Sequence, residues 1–291
     1  RKPDALLATS VLEKEGIREP LYLTACKYMD IPVLEEQRPQ HIETFDLVGM
    51  EQRAQKWYQE TSWQQRQQNG EILLELRNVG FGYLPGQHVL QNITFQVKKG
   101  EMLSVVGKNG AGKSTMSSLI CGFLNPTEGC ICYRGQDIRD WSIKERGEKI
   151  GFVMQSPNQM ISKPMIYDEV ALGLVIRQLP ESEIRERVHA ALKICGLYEM
   201  RNWPVSALSF GQKKRVTIAS ILVMEPEMII LDEPTAGQDY RHYTEIMEFL
   251  KKLNRETGIT IMMITHDMHL MLEYTDRAIV LADGEILADD T

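Results

Sequence analysis

A glycine-rich segment at residues 107–114 carries the most specific chemistry in the sequence. It reads G-K-N-G-A-G-K-S, which has the G-x-x-x-x-G-K-S spacing of a phosphate-binding loop. Glycines let backbone N–H groups wrap a polyphosphate, and the start of the following helix adds partial positive charge. Lys113 is predicted to reach the β- and γ-phosphates of ATP, and Ser114 Oγ to ligate Mg²⁺. The loop residues predicted to bind nucleotide are Gly107, Asn109, Gly110, Ala111, Gly112, Lys113, Ser114 and Thr115.

Two adjacent acids, Asp232 and Glu233, follow a short apolar run at residues 228–231. Such a run predicts a buried strand, and doubly wound sheets bind their ligands at the tips of such strands. Asp232 is suited to hold Mg²⁺, directly or through water. Glu233 is predicted to be the general base for the water that attacks the γ-phosphate. An acid pair alone could belong to a solvated loop, so this interpretation depends on the phosphate loop.

The surrounding pattern is that of an α/β fold. Short apolar runs predict strands that are buried on both faces, and a helical stripe with Pro180 before it and Gly196 after it predicts a helix over 182–195. Strands and helices that alternate in this way favour a mostly parallel sheet with helices on both faces. An ordinary glycine-rich turn is disfavoured, because a strand precedes the loop and a helix follows it. The predicted strands are 72–76, 89–97, 102–106, 228–231, 260–264 and 278–281.

Residues 208–212 read L-S-F-G-Q, which closely resembles the L-S-G-G-Q signature of ABC-type ATPases. Further motifs stand in the order that this family has, and the resemblance covers residues 71–291. It implies a P-loop NTPase cassette with a mostly parallel sheet core, an antiparallel β subdomain and a helical signature subdomain at about 156–208. The further motifs are the Q-loop at Gln155, the D-loop at Ala236 to Asp239, the switch histidine at His266 and the adenine-stacking aromatic at Tyr83.

The resemblance also implies roles for these residues. Gln155 would contact Mg²⁺ or the attacking water, and His266 would contact the γ-phosphate and hold the water and Glu233 in place. Each site would be shared with a second cassette, in the same polypeptide or in a homodimer. Ser209 and the Gly211 amide would reach the ATP bound on that second cassette, and Gln212 and Asp239 are further residues predicted to bind nucleotide. Phe210 departs from the family's usual glycine.

The stretches 155–159 and 168–173 look like cassettes of the energy-coupling-factor and cobalt-transport group. That resemblance implies an ATPase that energises the import of vitamins or metal ions. A transmembrane coupling subunit would dock between Met160 and Leu174, and the cassette would lie peripherally on the cytoplasmic face of the membrane. The alternative is a soluble ABC ATPase that acts on ribosomes or DNA. A regulatory module without turnover is a third possibility, which the presence of Glu233 and His266 disfavours.

The chain is predicted to contain three segments. Residues 1–50 resemble the C-terminal tail of a preceding cassette, residues 51–70 form a Gln-rich linker or exposed helix, and residues 71–291 form the ABC cassette. The expected whole protein is therefore a tandem of two cassettes.

Composition excludes some classes of function. The chain has 291 residues and a formal net charge of −7. A protein with this charge lacks the basic character of a dedicated nucleic-acid binder. No apolar run reaches the roughly 18–20 residues of a membrane helix. The basic residues 213–215 predict a solvated helix start, and Cys130 and Cys132 are expected to share one strand face. Two alternatives stay open: His266 with His269 as a metal pair, and Tyr83 as a strand-packing residue.

Overall fold

The computed structural model describes residues 3–15, 17, 19–46, 49–60, 70–84, 86–267 and 273–290. The chain divides into two compact units, one of residues 1–68 with 237–245 and the other of residues 69–236 with 246–291. The division at residue 69 lies close to the predicted start of the cassette, whereas the grouping of 237–245 with the first unit is not predicted. Residues 61–69 of the predicted linker lie outside the described residues.

The first unit is helical. Its small core consists of Leu23, Cys26, Ile31, Phe45 and Met50. The chain leaves its second helix before Pro20 and starts its third just after it, and most of its fourth helix is exposed within the Gln-rich stretch. These helices are α1 (Pro3–Leu7), α2 (Val11–Lys14), α3 (Leu21–Tyr28) and α4 (Met50–Glu60).

The second unit contains a four-stranded antiparallel sheet, as the resemblance implies. Its inward-facing positions alternate over the second half of the second strand, where Ile93, Phe95 and Val97 are buried. Cys130 and Cys132 share one face, as expected, with their Sγ atoms 3.9 Å apart. The strands are β1 (Ile72–Phe81), β2 (Leu90–Lys98), β4 (Glu128–Tyr133) and β5 (Gln136–Asp137). Their order in the sheet is β2-β1-β4-β5.

A six-stranded sheet forms the centre of the second unit and confirms the prediction of a mostly parallel core. Its order is β10-β9-β3-β8-β7-β6, and only the β9–β10 pair among its strand pairs is antiparallel. β3 and β8 are buried along their whole length, which explains why both read as continuous apolar runs. The strands are β3 (Met102–Val106), β6 (Ile150–Val153), β7 (Met228–Asp232), β8 (Thr260–Thr265), β9 (Arg277–Ala282) and β10 (Glu285–Asp290).

Helices connect these strands, as expected for an α/β unit. The predicted helix over 182–195 is confirmed with small differences at its ends. None of the described helices combines the length and apolar character needed to cross a membrane. The helices are α5 (Lys113–Cys121), α6 (Ile143–Gly147), α7 (Pro157–Met160), α8 (Ile166–Ile176), α9 (Glu181–Ile194), α10 (Phe210–Leu222) and α11 (Tyr240–Thr257).

A buried arginine anchors the far end of α5, the helix that starts at the phosphate loop. Arg146 is 1% exposed, and its guanidinium donates to the carbonyls of Leu119, Ile120 and Ile138. Two of these acceptors belong to the last turn of α5, where helix carbonyls have no intrahelical partner. Arg146 thereby satisfies the C-terminal end of the helix and fixes α5 against the rest of the unit.

Candidate functional site

Four neighbouring strands of the six-stranded sheet supply the candidate site. The glycine-rich loop follows β3, His266 follows β8, Asp232 and Glu233 end β7, and Gln155 follows β6. Because parallel strands end at one edge of the sheet, these residues meet around a cleft of about 490 Å³. The lining residues are Val89, Asn109, Gly110, Gly112, Lys113, Ser114, Thr115, Gln155, Asp232, Glu233 and His266.

The loop holds its lysine through its own backbone. Lys113 is 7% exposed, and its Nζ donates to the carbonyl oxygens of Gly107 at 2.6 Å and Lys108 at 3.0 Å. Two glycines are required by the geometry. Gly112 has φ +99°, and a Cβ on Gly107 would lie 2.3 Å from the carbonyl oxygen of Leu281. Gly107 and Ala111, both predicted nucleotide contacts, are not among the residues that line the cleft.

Glu233 is held in a constrained position beside His266. Its backbone has φ 43°, a value that is uncommon for a residue with a side chain, and its N–H donates to the carbonyl of Ile264. Glu233 Oε1 lies 2.8 Å from His266 Nδ1, and Oε2 accepts a hydrogen bond from Thr265 Oγ1. The side chain of Glu233 is 14% exposed and that of His266 is 61% exposed. A nearly buried carboxylate next to an accessible imidazole can accept a proton from a water in the cleft.

Asp232 is a half-buried acid at the end of β7. Burial, followed by the neighbouring negative charge of Glu233, raises the pKa of Asp232, while Lys214 and Lys113 oppose the shift. A bound cation would offset the cost of holding this carboxylate in its charged form. Ser114 and Gln155 bring a hydroxyl and an amide oxygen to the same cleft, so the donors are the oxygen ligands that Mg²⁺ prefers. The residues present therefore fit a magnesium ion.

Tyr83 lies beyond the end of β1, next to the loop. Its ring packs edge-on against Phe81 with centroids 4.9 Å apart, and its hydroxyl is 3.4 Å from Thr115 Oγ1. The residue is 61% exposed, so the ring presents a face to solvent. This placement disfavours the alternative that Tyr83 packs within a strand. Its role in adenine stacking stays a prediction.

The signature residues start α10 and do not line the cleft. Ser209 is the N-cap of this helix, with its Oγ accepting from the Gln212 N–H while the Gln212 side chain accepts from the Ser209 N–H. This reciprocal pair is a capping box, which sequence patterns can predict. A Cβ placed on Gly211 would meet no heavy atom of the described residues within 4 Å. Contacts among those residues therefore do not account for a glycine at this position.

Asp239 belongs to the first unit and is absent from the residues lining the cleft. Its carboxylate accepts from the backbone N–H of His242 and pairs with His242 Nδ1 at 2.8 Å. These contacts, the backbone one first, hold the pKa of Asp239 below its ordinary value. The partner His242 is not predicted from the sequence, although its i+3 spacing from Asp239 would allow this contact. His269 lies outside the described residues, so the alternative of a metal pair with His266 stays a prediction.

The prediction of a solvated helix start is wrong for Lys214. This side chain is 1% exposed and donates to the carbonyls of Met154 and Gln155. The neighbouring Lys213 and Arg215 are half-buried. One turn of a helix presents consecutive residues to different sides, so a run of basic residues need not share one environment.

A family model described as ABC transporter matches residues 90–236 of this chain. The match includes the phosphate loop, the signature and the acid pair. The chain belongs to the ABC transporter cassette family. A second model, described as ATP-binding cassette cobalt transporter, matches residues 9–81 of the cassette chain.

Solved structures show the same relationship. The cassette is 40% identical to cbiO1 of Clostridium perfringens, which is part of the ABC transporter complex cbiONQ. Their TM-score is 0.73, and the match covers 76% of this chain and 88% of that chain. A dimeric ATP-binding cassette in a post-hydrolysis state, bound to ADP and Pi, is 33% identical with a TM-score of 0.65, covering 75% of this chain and 98% of that one.

Curated relatives are longer than this cassette chain. An ABC transporter ATP-binding protein of Clostridium perfringens is 55% identical over 99% of this chain and 51% of its own length. One from Enterococcus faecalis is 57% identical over 99% of this chain and 51% of its own length. The chain thus spans about half the length of the curated relatives it matches.

Proposed function

We propose that this chain binds ATP with Mg²⁺ and hydrolyses it at a site completed by a second cassette, and that the resulting closure and reopening energise a membrane importer. The observation that carries the proposal is the division of the motif residues. Ten of the predicted residues line one cleft, whereas Ser209 and Gly211 start a helix outside it. The ten are Asn109, Gly110, Gly112, Lys113, Ser114, Thr115, Gln155, Asp232, Glu233 and His266.

In this proposal each cleft residue has a separate task. Lys113 neutralises charge on the β- and γ-phosphates, and the loop amides position the polyphosphate. Glu233 accepts the proton of the attacking water, while His266 orients that water and the carboxylate through the 2.8 Å contact. Phosphoryl transfer depends mainly on positioning and charge neutralisation, which this set of residues supplies.

Mg²⁺, when bound, would neutralise charge that develops on the phosphates during hydrolysis. Ser114, Gln155 and Asp232 would hold it. Burial already disfavours the charged form of the Asp232 carboxyl group, and the pKa of Asp232 is raised as a result. The same three residues therefore favour a divalent cation over an uncharged ligand.

The second cassette supplies the missing half of the site. Open space beside Gly211 allows the backbone of α10 to approach a phosphate on the facing cassette. Phe210 is 39% exposed at the same helix start, so its ring would lie at this interface. Ser209 and Gln212 complete the proposed shared face, and Asp239 is proposed separately as a nucleotide-binding residue. The partner is a second copy of this chain or another cassette of the same polypeptide.

A transmembrane coupling subunit is proposed to dock between Met160 and Leu174. Much of α8 faces the interior of the unit, so the accessible part of this segment is the connection before the helix. That connection is rigid: the buried Glu169 accepts from the backbone N–H groups of Ser162 and Lys163 at 2.8 and 2.7 Å. Half-exposed Met160 and Met165 give it apolar surface. A membrane helix end could therefore bind residues 160–165 without reordering them.

The importer is proposed to be of the energy-coupling-factor type, which takes up vitamins or metal ions. The cobalt-transporter family model over 9–81 and the similarity to cbiO1 support this choice. The double length of the relatives supports a tandem protein in which residues 1–50 are the tail of a preceding cassette. Such a protein would act peripherally at the cytoplasmic face of the membrane.

Dilution of the ATPase reaction tests the shared site. If half of each site comes from another cassette, the hydrolysis rate per molecule of this chain should fall as the protein is diluted through the micromolar range. A constant rate per molecule would contradict the proposal.

Co-expression with neighbouring membrane proteins should bring the full-length protein into the membrane fraction. Stimulation by ribosomes or DNA instead would favour the soluble ABC ATPase.

A further inference from the structure

Lys214 is a buried cation in the second turn of α10, the helix that begins at the signature serine. The side chain is 1% exposed and, with Arg146, heads the largest fully buried side chains of the described residues. A charged group removed from water is costly unless it is paired or hydrogen-bonded. Burial lowers the pKa of Lys214 to about 8, and the negative charge of Asp232 opposes that shift. The sequence therefore retains a charge here at some cost to stability.

The hydrogen bonds of Lys214 reach the turn that carries Gln155. Its Nζ donates to the carbonyl of Met154 at 2.7 Å and to that of Gln155 at 2.9 Å. Both carbonyls lie just after β6 ends at Val153, where the chain leaves the sheet. Because these carbonyls lie beyond the end of the strand, side-chain donors such as Lys214 help to fix the direction of the backbone at residues 154–155. The Gln155 side chain, in turn, lines the cleft.

We infer that Lys214 is a positioning residue, which holds Gln155 at the cleft and links its backbone to the signature helix. The lysine suits this task because one ammonium offers three donors, so a single side chain can bond two successive carbonyls. A displacement of α10 would be passed to Gln155 through these two hydrogen bonds. Because Gln155 is proposed to contact Mg²⁺ or the attacking water, this inference rests on the proposed function.

A double-mutant cycle with Gln155 tests the inference on the full chain. Lys214→Met keeps the length of the side chain and removes all its donors, so we expect kcat to fall about 10- to 100-fold, as for other residues that orient a ligand. The KM for Mg-ATP should rise only by the Mg²⁺-dependent part of the affinity, since the phosphate loop is untouched. In a Gln155→Ala background the same substitution should cost less than about 3-fold, because residues that act through one another are not additive.

Controls separate positioning from general stability. Lys213→Met removes the same charge from the preceding, half-buried residue and should leave kcat and KM near wild type. Thermal unfolding of every variant shows how much folded protein is present. If Lys214→Met does not fold, Lys214→Gln, which retains amide donors, takes its place in the cycle. Additive effects of the Lys214 and Gln155 substitutions on kcat would overturn the inference. A loss of activity that comes from KM alone would also overturn it.

A binding measurement distinguishes this inference from the proposed function itself. The fluorescent analogue TNP-ATP is titrated with and without Mg²⁺. Lys214→Met should lose the Mg²⁺-dependent gain in affinity and keep the Mg²⁺-free affinity. If the wild-type chain showed no ATP turnover, the proposed function would fail. The Mg²⁺-dependent gain in TNP-ATP affinity would still test the role of Lys214. An unchanged Mg²⁺-dependent gain in Lys214→Met would defeat the positioning role.

Discussion

Replacing Glu233 by Gln removes a proton acceptor while almost preserving the shape of the side chain. In the structure, Glu233 contacts His266 Nδ1 at 2.8 Å and Thr265 Oγ1 at 3.2 Å. The amide oxygen of glutamine can still accept one of these hydrogen bonds, so the folded state loses about 1 kcal/mol. The loss of general-base catalysis is larger, about 10²- to 10⁴-fold in kcat. That corresponds to about 3–5 kcal/mol in the activation free energy.

The assay compares steady-state hydrolysis with nucleotide affinity. Glu233→Gln should bind ATP as tightly as wild type or more tightly and should accumulate a closed dimer, visible by size-exclusion chromatography with ATP. Glu248→Gln is the matched control, because Glu248 is exposed on α11 and outside the cleft. Near-normal turnover in Glu233→Gln, or an equal loss in the control, would refute the assignment of Glu233 as the base.

Four further changes test other parts of the site. Lys113→Ala should abolish high-affinity nucleotide binding in titrations while thermal unfolding stays cooperative, because the ammonium that neutralises the phosphates is lost. Gly112→Ala should destabilise the fold by about 1–3 kcal/mol in urea titrations, since φ is +99° and the new Cβ would lie 2.5 Å from Leu90 Cδ2. Ser209→Ala should cost about 1 kcal/mol through the lost cap and abolish the concentration dependence of hydrolysis. Without Mg²⁺, ionisation of Asp232 opposes folding because its pKa is raised, so thermal stability should fall as pH rises through that pKa; Asp232→Asn should flatten this fall.

Each of these outcomes has a contradicting result. Retained affinity in Lys113→Ala would remove the lysine from the phosphate site. Wild-type stability of Gly112→Ala would show that the loop relaxes around the added methyl group. A dilution curve unchanged by Ser209→Ala would place the shared face elsewhere, and an identical pH profile for Asp232→Asn would assign the dependence to another group.

The sequence predicts most of the cleft because its residues follow buried strands directly. The loop after β3 and the acids after β7 are short continuations of apolar runs, and parallel strands bring their ends together. Lys214 is wrongly predicted, because its environment is set by the turn at residues 154–155, about 60 positions earlier in the chain. The grouping of 237–245 with the first unit is missed for a related reason, since local patterns carry no information on which distant segment packs against a loop.

The capping box at Ser209 has a consequence for the proposed interface between cassettes. The serine oxygen accepts from the Gln212 N–H through a lone pair, which leaves the hydroxyl hydrogen able to point outward. Docking of a phosphate against this hydroxyl would therefore add a hydrogen bond without unravelling the first turn of α10. Association and dissociation can then proceed with the secondary structure of both partners intact, so repeated cycles do not require the helix start to refold.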